Sequence, residues 1–599
     1  YKEDIMLYPQ QNASRLTLSL DGVWDFCLGE AVDPAVPLPN PDRVAVPASY
    51  NDQKPDPAWR DHYGWASYQR LITLPRACAG QRAVLRFGSV THKARVWLDG
   101  ACIAEHTGGF LPFEVDLTGR LAPGETARLT VEADNRVNHS TLPVGNEPGQ
   151  IAFFGSDNAG IPSVEHAKAA AAPQNRPNFD FFNYAGIHRP VTLYTTPLSY
   201  VEDITLVPRL DGTVAYAVAT AGAPCEADVC ITVLDAEGRA VASASGAAGC
   251  LTIPNPHLWA PGRPYLYTAR VRYGEDCYDQ TFGVREVRVE GTKLLLNGEP
   301  LYLKGFGKHE DFALHGRGFD PVANVTDLHF VHWFHANCIR TSHYPYAEEF
   351  YDLCDREGIL VIDETPAVGI GAGAEQDPYK TFPIADHHRE VLSDLISRDK
   401  NHPCVIMWCL GNEPDLEHFP QSAYEYWRPL YEQAHALDPQ NRPVTLVCCQ
   451  NDYTRDITTR TMDVVCLNRY YGWYNLSGDL DAACAALNEE LDFWAGQGKP
   501  VLFTEYGADT VNGLHDACAG MFSEEYQAEY YARMGAEFDK RPFFIGELIW
   551  NFADFATIQG PMRVGGNRKG ALTRDRRPKL AAHLLRRRWA EIPGVGYKG

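Results

Sequence analysis

The sequence predicts a multidomain β plus α/β protein. Its parts are an N-terminal jelly-roll-like β-sandwich, an immunoglobulin-like β-sandwich and a C-terminal (β/α)8 TIM barrel. Three observations carry this. The chain has 599 residues, more than one hydrophobic core organises. Up to about residue 287 it reads as short alternating segments separated by turn residues. From about residue 288 apolar runs alternate with amphipathic stretches of helical period.

Residues 1–197 form the first predicted domain. Gly22–Phe26, Tyr68–Ile72, Ala94–Gly100 and Ala127–Ala133 alternate in the manner of half-buried antiparallel strands, and Asp99-Gly100 is a hairpin signal. Asn146 to Asn178 lacks a period; unstructured stretches of that length inside compact domains are usually functional or mobile. The run Phe179 to Arg189 follows, with an aromatic density unusual for a loop. Residues 198–287 give a second set of short strands, including Ile204–Val207, Val214–Val218 and Tyr267–Val271, which fit a small immunoglobulin-like sandwich.

Residues 288–599 carry the barrel. Strands are expected to begin near Leu301, Cys338, Ile359, Cys404, Val444, Val464, Val501 and Phe544. Helices between them include Tyr346–Glu357, Asp386–Asp399, Ala423–Ala436 and Ser523–Phe538. Eight such units in roughly 310 residues match the size of this fold, whose chemistry lies at the C-terminal ends of the strands.

Composition narrows the function. Apolar residues make up 45% and charged residues 22%, ordinary for a globular protein, but the net charge is -23. That balance argues against nucleic acid and anionic membranes as partners, because both require basic patches. It also means that an anionic substrate needs a local cationic pocket. No apolar run approaches the ~20 residues of a membrane span, and no signal-peptide core follows Tyr1, so a cytoplasmic protein is expected. Sixteen scattered Cys without a Cys-x-x-Cys pair read as free thiols rather than a metal site. Gly369 to Gly373 lacks the spacing of a phosphate loop and reads as a flexible loop. Asp386-His387-His388 reads as a solvated helix start, since helical neighbours point apart.

The chemistry centres on two acids. Val405 to Leu410 is an apolar strand that breaks into Gly411-Asn412-Glu413-Pro414. Val501 to Thr504 is another, ending in Glu505-Tyr506-Gly507. Two glutamates at the mouths of strands four and seven supply what glycoside hydrolysis uses: an acid for the leaving oxygen and a carboxylate at the anomeric carbon, about 5–5.5 Å apart in a retaining enzyme. A later segment, Met562 to Gly570, sits after strand eight on the same face. In an extended conformation Asn567 and Lys569 point to one side, and Arg563, Arg568 and Lys569 form a cationic wall for a carboxylate, unless the segment is simply a solvated basic loop.

These stretches resemble glycoside hydrolase family 2 and, within it, the gut-type bacterial β-glucuronidases. The likeness rests on Lys93 to Gly100, Gly108 to Phe113, Asp180 to Arg189, Arg340 to Pro345, Trp408 to Pro414, Asn468 to Tyr474, Thr504 to Gly507 and Trp550 to Phe555. It implies a retaining exo-β-glucuronidase with Glu413 as acid/base and Glu505 as nucleophile. Asn412 then binds the sugar 2-hydroxyl and Tyr470 holds the nucleophile. His343 and Asp180 bind hydroxyls, although His343 also suits a core residue tying two strand ends. Trp550 belongs to the substrate site. Asn567 and Lys569 take the C6 carboxylate, with Asn468, Tyr474 and Arg563 beside them. A β-galacturonidase or β-galactosidase on the same fold is the alternative. The resemblance implies a homotetramer and no required cofactor or metal; a non-catalytic flavin mononucleotide, as in some gut relatives, stays open. The loop Val368 to Ile384 is comparatively short and suggests an aglycone side that is either more open or covered by a neighbouring subunit.

Overall fold

The structure is a computed structural model that describes residues 7–31, 33–146, 174–371, 376–560 and 562–598. The irregular stretch after Asn146 therefore lies largely outside the described residues, as do Ala372 and Gly373. Three hydrophobic clusters match the three predicted units. The first packs a six-stranded antiparallel sheet on a four-stranded one. Lys93–Leu98 turns into Ala101–Thr107 through Asp99 and Gly100, both at positive φ (47° and 85°), which is the two-residue turn whose twist suits a hairpin. The second unit pairs a three-stranded with a four-stranded sheet, joined by residues such as Ile204, Ile231, Val271 and Phe282.

The barrel closes through eight parallel strands. We label them β1 (Leu303–Lys308), β2 (Cys338–Thr341), β3 (Leu360–Glu364), β4 (Val405–Asn412), β5 (Val444–Cys448), β6 (Val465–Asn468), β7 (Val501–Glu505) and β8 (Phe544–Ile549). Every residue in them is buried, because helices cover one face and packed side chains fill the other. That is why they read as apolar runs, and why observed and expected starts agree to within two residues.

The outer helices are α1 (Pro321–Trp333), α2 (Glu348–Glu357), α3 (Ala385–Asp399), α4 (Pro420–Leu437), α5 (Leu480–Ala495), α6 (Glu524–Phe538) and α7 (Leu580–Glu591). Asp320, Asp479 and Ser523 cap three of them by accepting from backbone N–H groups two or three residues into the helix. After β5 the described chain makes only a 3-10 turn, Thr459–Thr461, so one of the eight units lacks its α-helix. The start of α3 is not fully solvated: His388 is buried and bonded to Thr365, Leu410 and Tyr426. All sixteen cysteines are unpaired. Among the described residues no helix is long and apolar enough to cross a membrane.

The aromatic run of the first unit has a structural reason. Phe179 and Phe181 stack at 4.2 Å and belong to the barrel's hydrophobic cluster, not to their own sandwich. Phe181 lies within 5.0 Å of the His309 ring and 5.6 Å of Tyr344. Arg317 sits over the Phe110, Phe181 and Tyr344 rings. A segment of the first unit is thus wedged into the barrel mouth, and Asp180 is carried there between two anchored rings.

Candidate active site

The strand ends converge on a cavity of about 330 Å³ lined by Asp180, His343, Asn412, Glu413, Asn468, Tyr470, Tyr474, Glu505, Trp550, Arg563 and Asn567 among others. Lys569 does not line it.

Glu413 stands one residue beyond β4 at φ 50°, the left-handed region that non-glycine residues avoid. Its N–H is held by the Val447 carbonyl of β5 at 3.0 Å. Gly411 two residues earlier is required sterically: a Cβ there would meet the Ala367 carbonyl oxygen at 2.6 Å and the Trp427 ring at 2.8 Å. Burial, then the neighbouring Glu505 charge, push the Glu413 carboxyl up to about 8.

Glu505 closes β7 and is held on both oxygens. Arg340 Nη1 donates to Oε1 at 2.8 Å and Tyr470 Oη donates to Oε2 at 2.6 Å. Burial and the adjacent carboxylates push the Tyr470 phenol well above its ordinary range, so it remains a donor. The same Arg340 donates to Asn412 Oδ1 at 2.6 Å and to Glu364 Oε2 at 2.6 Å. Asn412 Oδ1 also accepts from Asn468 Nδ2 at 3.1 Å. Two donors on the oxygen orient the Asn412 amide so that its N–H2 is the group left for a ligand. Gly507 lets the β7 exit pass the β8 exit, since a Cβ there would lie 2.2 Å from the Trp550 carbonyl oxygen.

His343 is both things the sequence allowed. Its Nδ1 lies 2.8 Å from Glu364, tying the ends of β2 and β3, while its ring stacks on Trp550 at 5.0 Å and lines the cavity.

The opposite end of the cavity is a chain of charges. Asp180 accepts from Arg563 Nε at 2.9 Å and Nη2 at 2.5 Å, and from Asn567 Nδ2 at 2.9 Å. Arg563 Nη2 reaches Tyr474 Oη at 2.8 Å, and Lys569 Nζ reaches the same oxygen at 2.7 Å. Lys569 is fully buried and ion-paired with Asp509. Burial alone raises the Asp509 carboxyl, but Lys569 and Arg563 outweigh it and hold it below the carboxylate range.

This is a family architecture. The profile for the Glycosyl hydrolases family 2 TIM barrel domain matches residues 287–593, the family's sugar binding domain matches 17–197, and the central family 2 domain matches 199–285. The chain belongs to glycosyl hydrolase family 2. Its likeness to individual family 2 proteins runs end to end. A Faecalibacterium prausnitzii β-glucuronidase structure is 70% identical, with TM-score 0.97 over 99% of this chain and 100% of that one. A Bifidobacterium dentium β-glucuronidase, solved with coumarin-3-O-glucuronide, is 56% identical with TM-score 0.95, covering 99% and 100%. A Paenibacillus borealis β-glucuronidase is 42% identical over 98% of this chain and 99% of its own length.

Within this family 2 chain, three expectations need correction. Asn468 is not at the charged end: its Nδ2 bonds Glu413 Oε1 at 2.7 Å, because β6 ends level with Glu505 of β7 and Thr504 holds its oxygen at 2.9 Å. The segment after β8 is no bare cationic wall, since Arg563 and Lys569 each carry a carboxylate partner. Arg568 contributes its backbone N–H to Asp509 while its guanidinium folds onto the Val564 carbonyl.

The sequence reasoning missed Arg340, Glu364 and Asp509 as site residues. Glu364 had a signal: it closes the apolar strand β3 just as Glu505 closes β7. Arg340, a charge inside an apolar strand, had one too. Asp509 had none, because its partners Arg563 and Lys569 are remote in sequence.

Proposed function

We propose that the chain is a retaining exo-β-glucuronidase, releasing glucuronate and an alcohol or phenol from β-D-glucuronides. The observation that carries this beyond the family is the cluster of Arg563, Asn567 and Tyr474 at one end of a cavity whose other end holds Glu413 and Glu505, with Lys569 bonded to the Tyr474 hydroxyl from behind. A uronic acid carboxylate matches that cluster; a neutral hexose does not.

The steps follow from the protonation states. Glu413, neutral at pH 7, donates its proton to the glycosidic oxygen as the C1–O bond breaks. The Glu505 carboxylate, held between Arg340 and Tyr470, attacks C1 and forms the glycosyl ester. With the Glu505 charge consumed, Glu413 loses the part of its rise that repulsion adds to burial, and acts as base toward water, whose oxygen displaces Glu505 from C1. Asn412 offers its N–H2 to the 2-hydroxyl, His343 and Asp180 face other hydroxyls, and Trp550 forms an apolar floor. Asp180 gives up part of its hold on Arg563 and Asn567 as the substrate carboxylate arrives. The two glutamates and one water supply every proton and nucleophile, so the reading calls for no cofactor; a flavin mononucleotide held elsewhere would colour the purified protein yellow. The homotetramer implied by resemblance is carried forward and is read by light scattering.

The test is kcat/KM on matched aryl β-glucuronide, β-galacturonide and β-galactoside. The glucuronide is expected to lead both others by a factor of about 10² or more, the value of one charged contact of roughly 3 kcal/mol. A galacturonide preference would keep the carboxylate cluster and overturn the assignment at C4. Activity on the galactoside alone would remove the cluster from substrate binding.

A further inference from the structure

The rule that finds Glu413 and Glu505, an apolar barrel strand running out into an acid, is met a third time at Glu364 of β3. This carboxylate is fully buried and does not line the cavity, so it touches no substrate. Both its oxygens are committed: Oε1 to His343 Nδ1 at 2.8 Å, Oε2 to Arg340 Nε at 2.6 Å and to the Cys409 thiol at 3.1 Å. The opposite edge of the same guanidinium holds Glu505 at 2.8 Å.

We propose that Glu364 is a positioning residue of the reaction: it shares Arg340 with Glu505 and fixes His343 against the cavity, and so sets the reactivity of the Glu505 carboxylate. This rests on the reading of Glu505 as nucleophile. A guanidinium divided between two carboxylates holds each less firmly than it would hold one. Glu505 is therefore held in place without being quenched as a nucleophile. The bond to Nδ1 also fixes which edge of the His343 imidazole faces the cavity: Nε2, 3.7 Å from Glu505 Oε1.

The other groups facing this pair are few. From β1 comes His309, ring to ring at 5.5 Å with His343, and burial drives it well below its ordinary range, so it is neutral. From β4 come Cys409, neutral through burial, and Glu413. From β6 come Cys466, its thiol kept neutral by burial, and Asn468, and just beyond the strand Tyr470 and Arg469, the last paired with Glu490. Trp550 of the β8 exit adds no charge. Arg340 is thus the cation that the two carboxylates share.

The experiment is the pH dependence of kcat and kcat/KM for wild type, Glu364→Gln and Glu364→Asp on an aryl β-glucuronide. Gln keeps the volume and an oxygen for Arg340 Nε, but releases the guanidinium charge to Glu505. We expect kcat to fall tenfold or more and the acid limb to move about one unit lower, the lower end of what a nearby opposite charge does to a carboxylate. The alkaline limb, set by Glu413, stays in place. Glu364→Asp keeps the charge but withdraws it from both partners, and moves the acid limb the same way by less. If Glu364→Gln does not fold, the Asp variant decides. An acid limb unmoved in the variants that fold, whatever their Tm, reduces Glu364 to a core residue and overturns the proposal. The nucleophile reading fails separately: trapping with a 2-fluoro glucuronyl reagent would then label a residue other than Glu505.

Discussion

Glu413 is held as a neutral acid at a cost to the fold. Its carboxyl keeps the proton to about pH 8 in the folded chain but releases it near 4.5 when unfolded. The contribution of that proton to stability is complete below 4.5 and is lost as pH rises through 8. Glu413→Gln removes the penalty. We expect the barrel of this variant to be more stable than wild type by a few kcal/mol at pH 9 and equal to it near pH 4, as each pK unit is worth about 1.4 kcal/mol. Its kcat on a poor leaving group should fall by about 10²–10⁴, the usual worth of a general acid. Thermal melts at the two pH values, with the alkaline limb of the wild-type rate near 8, check this together. Lys569 shows the opposite case. Because its ammonium is the buried partner of Asp509, Lys569→Ala does more than remove a donor from the Tyr474 hydroxyl. It strands a carboxylate, at a cost of about 3–5 kcal/mol, and Asp509→Asn in the same chain should restore much of that stability without restoring glucuronidase activity. Equal Tm for wild type and Lys569→Ala would mean the pair does not form.

The strand exits decide what the cavity contains. Five of the eight strands deliver Arg340, Glu364, Glu413, Asn468 and Glu505 to one face because each polar residue is at or near the last position of its strand or the first beyond it. The charged wall residue that comes from the first unit is Asp180, and its placement rests on the Phe179 and Phe181 rings. Phe181→Ala should cost about 3–5 kcal/mol through the cavity it leaves. It should also raise KM for the glucuronide more than it lowers kcat, since Asp180 and its partner Arg563 lose their register. A kcat/KM loss confined to kcat would place the wedge's role elsewhere. Most of this level was legible in the sequence. Apolar runs buried on both faces mark parallel strands, and an abrupt acid marks a strand mouth. What was illegible is long-range pairing. Nothing in Asp509 announces Lys569 sixty residues on, so a run of three cations looked like a free wall. Asn468 looked like a carboxylate ligand until the register of β6 on β7 placed it against Glu413.

At the scale of the whole molecule, the charge of -23 and an anionic substrate are at odds. The cavity does not resolve this at long range. Arg563 and Lys569 are matched by Asp180 and Asp509, and Arg340 by Glu364 and Glu505, so the site projects little positive field into solvent. Its cations act only at contact, after a substrate carboxylate has entered and displaced an internal one. A glucuronide approaching from solvent therefore meets the repulsion of the acidic surface first. Salt screens that repulsion: the Debye length falls from about 30 Å at 0.01 M to about 8 Å at 0.15 M. Buried contacts in the pocket are screened far less. kcat/KM for an aryl β-glucuronide is thus expected to rise by a few-fold across that range, with the change in KM and not in kcat. The residual rate on a neutral aryl β-galactoside should stay flat, which separates substrate repulsion from any effect of salt on the enzyme itself. A glucuronide rate that falls with salt would show that the cations of the pocket are felt from solvent, and that the pairs with Asp180 and Asp509 are open in the free enzyme.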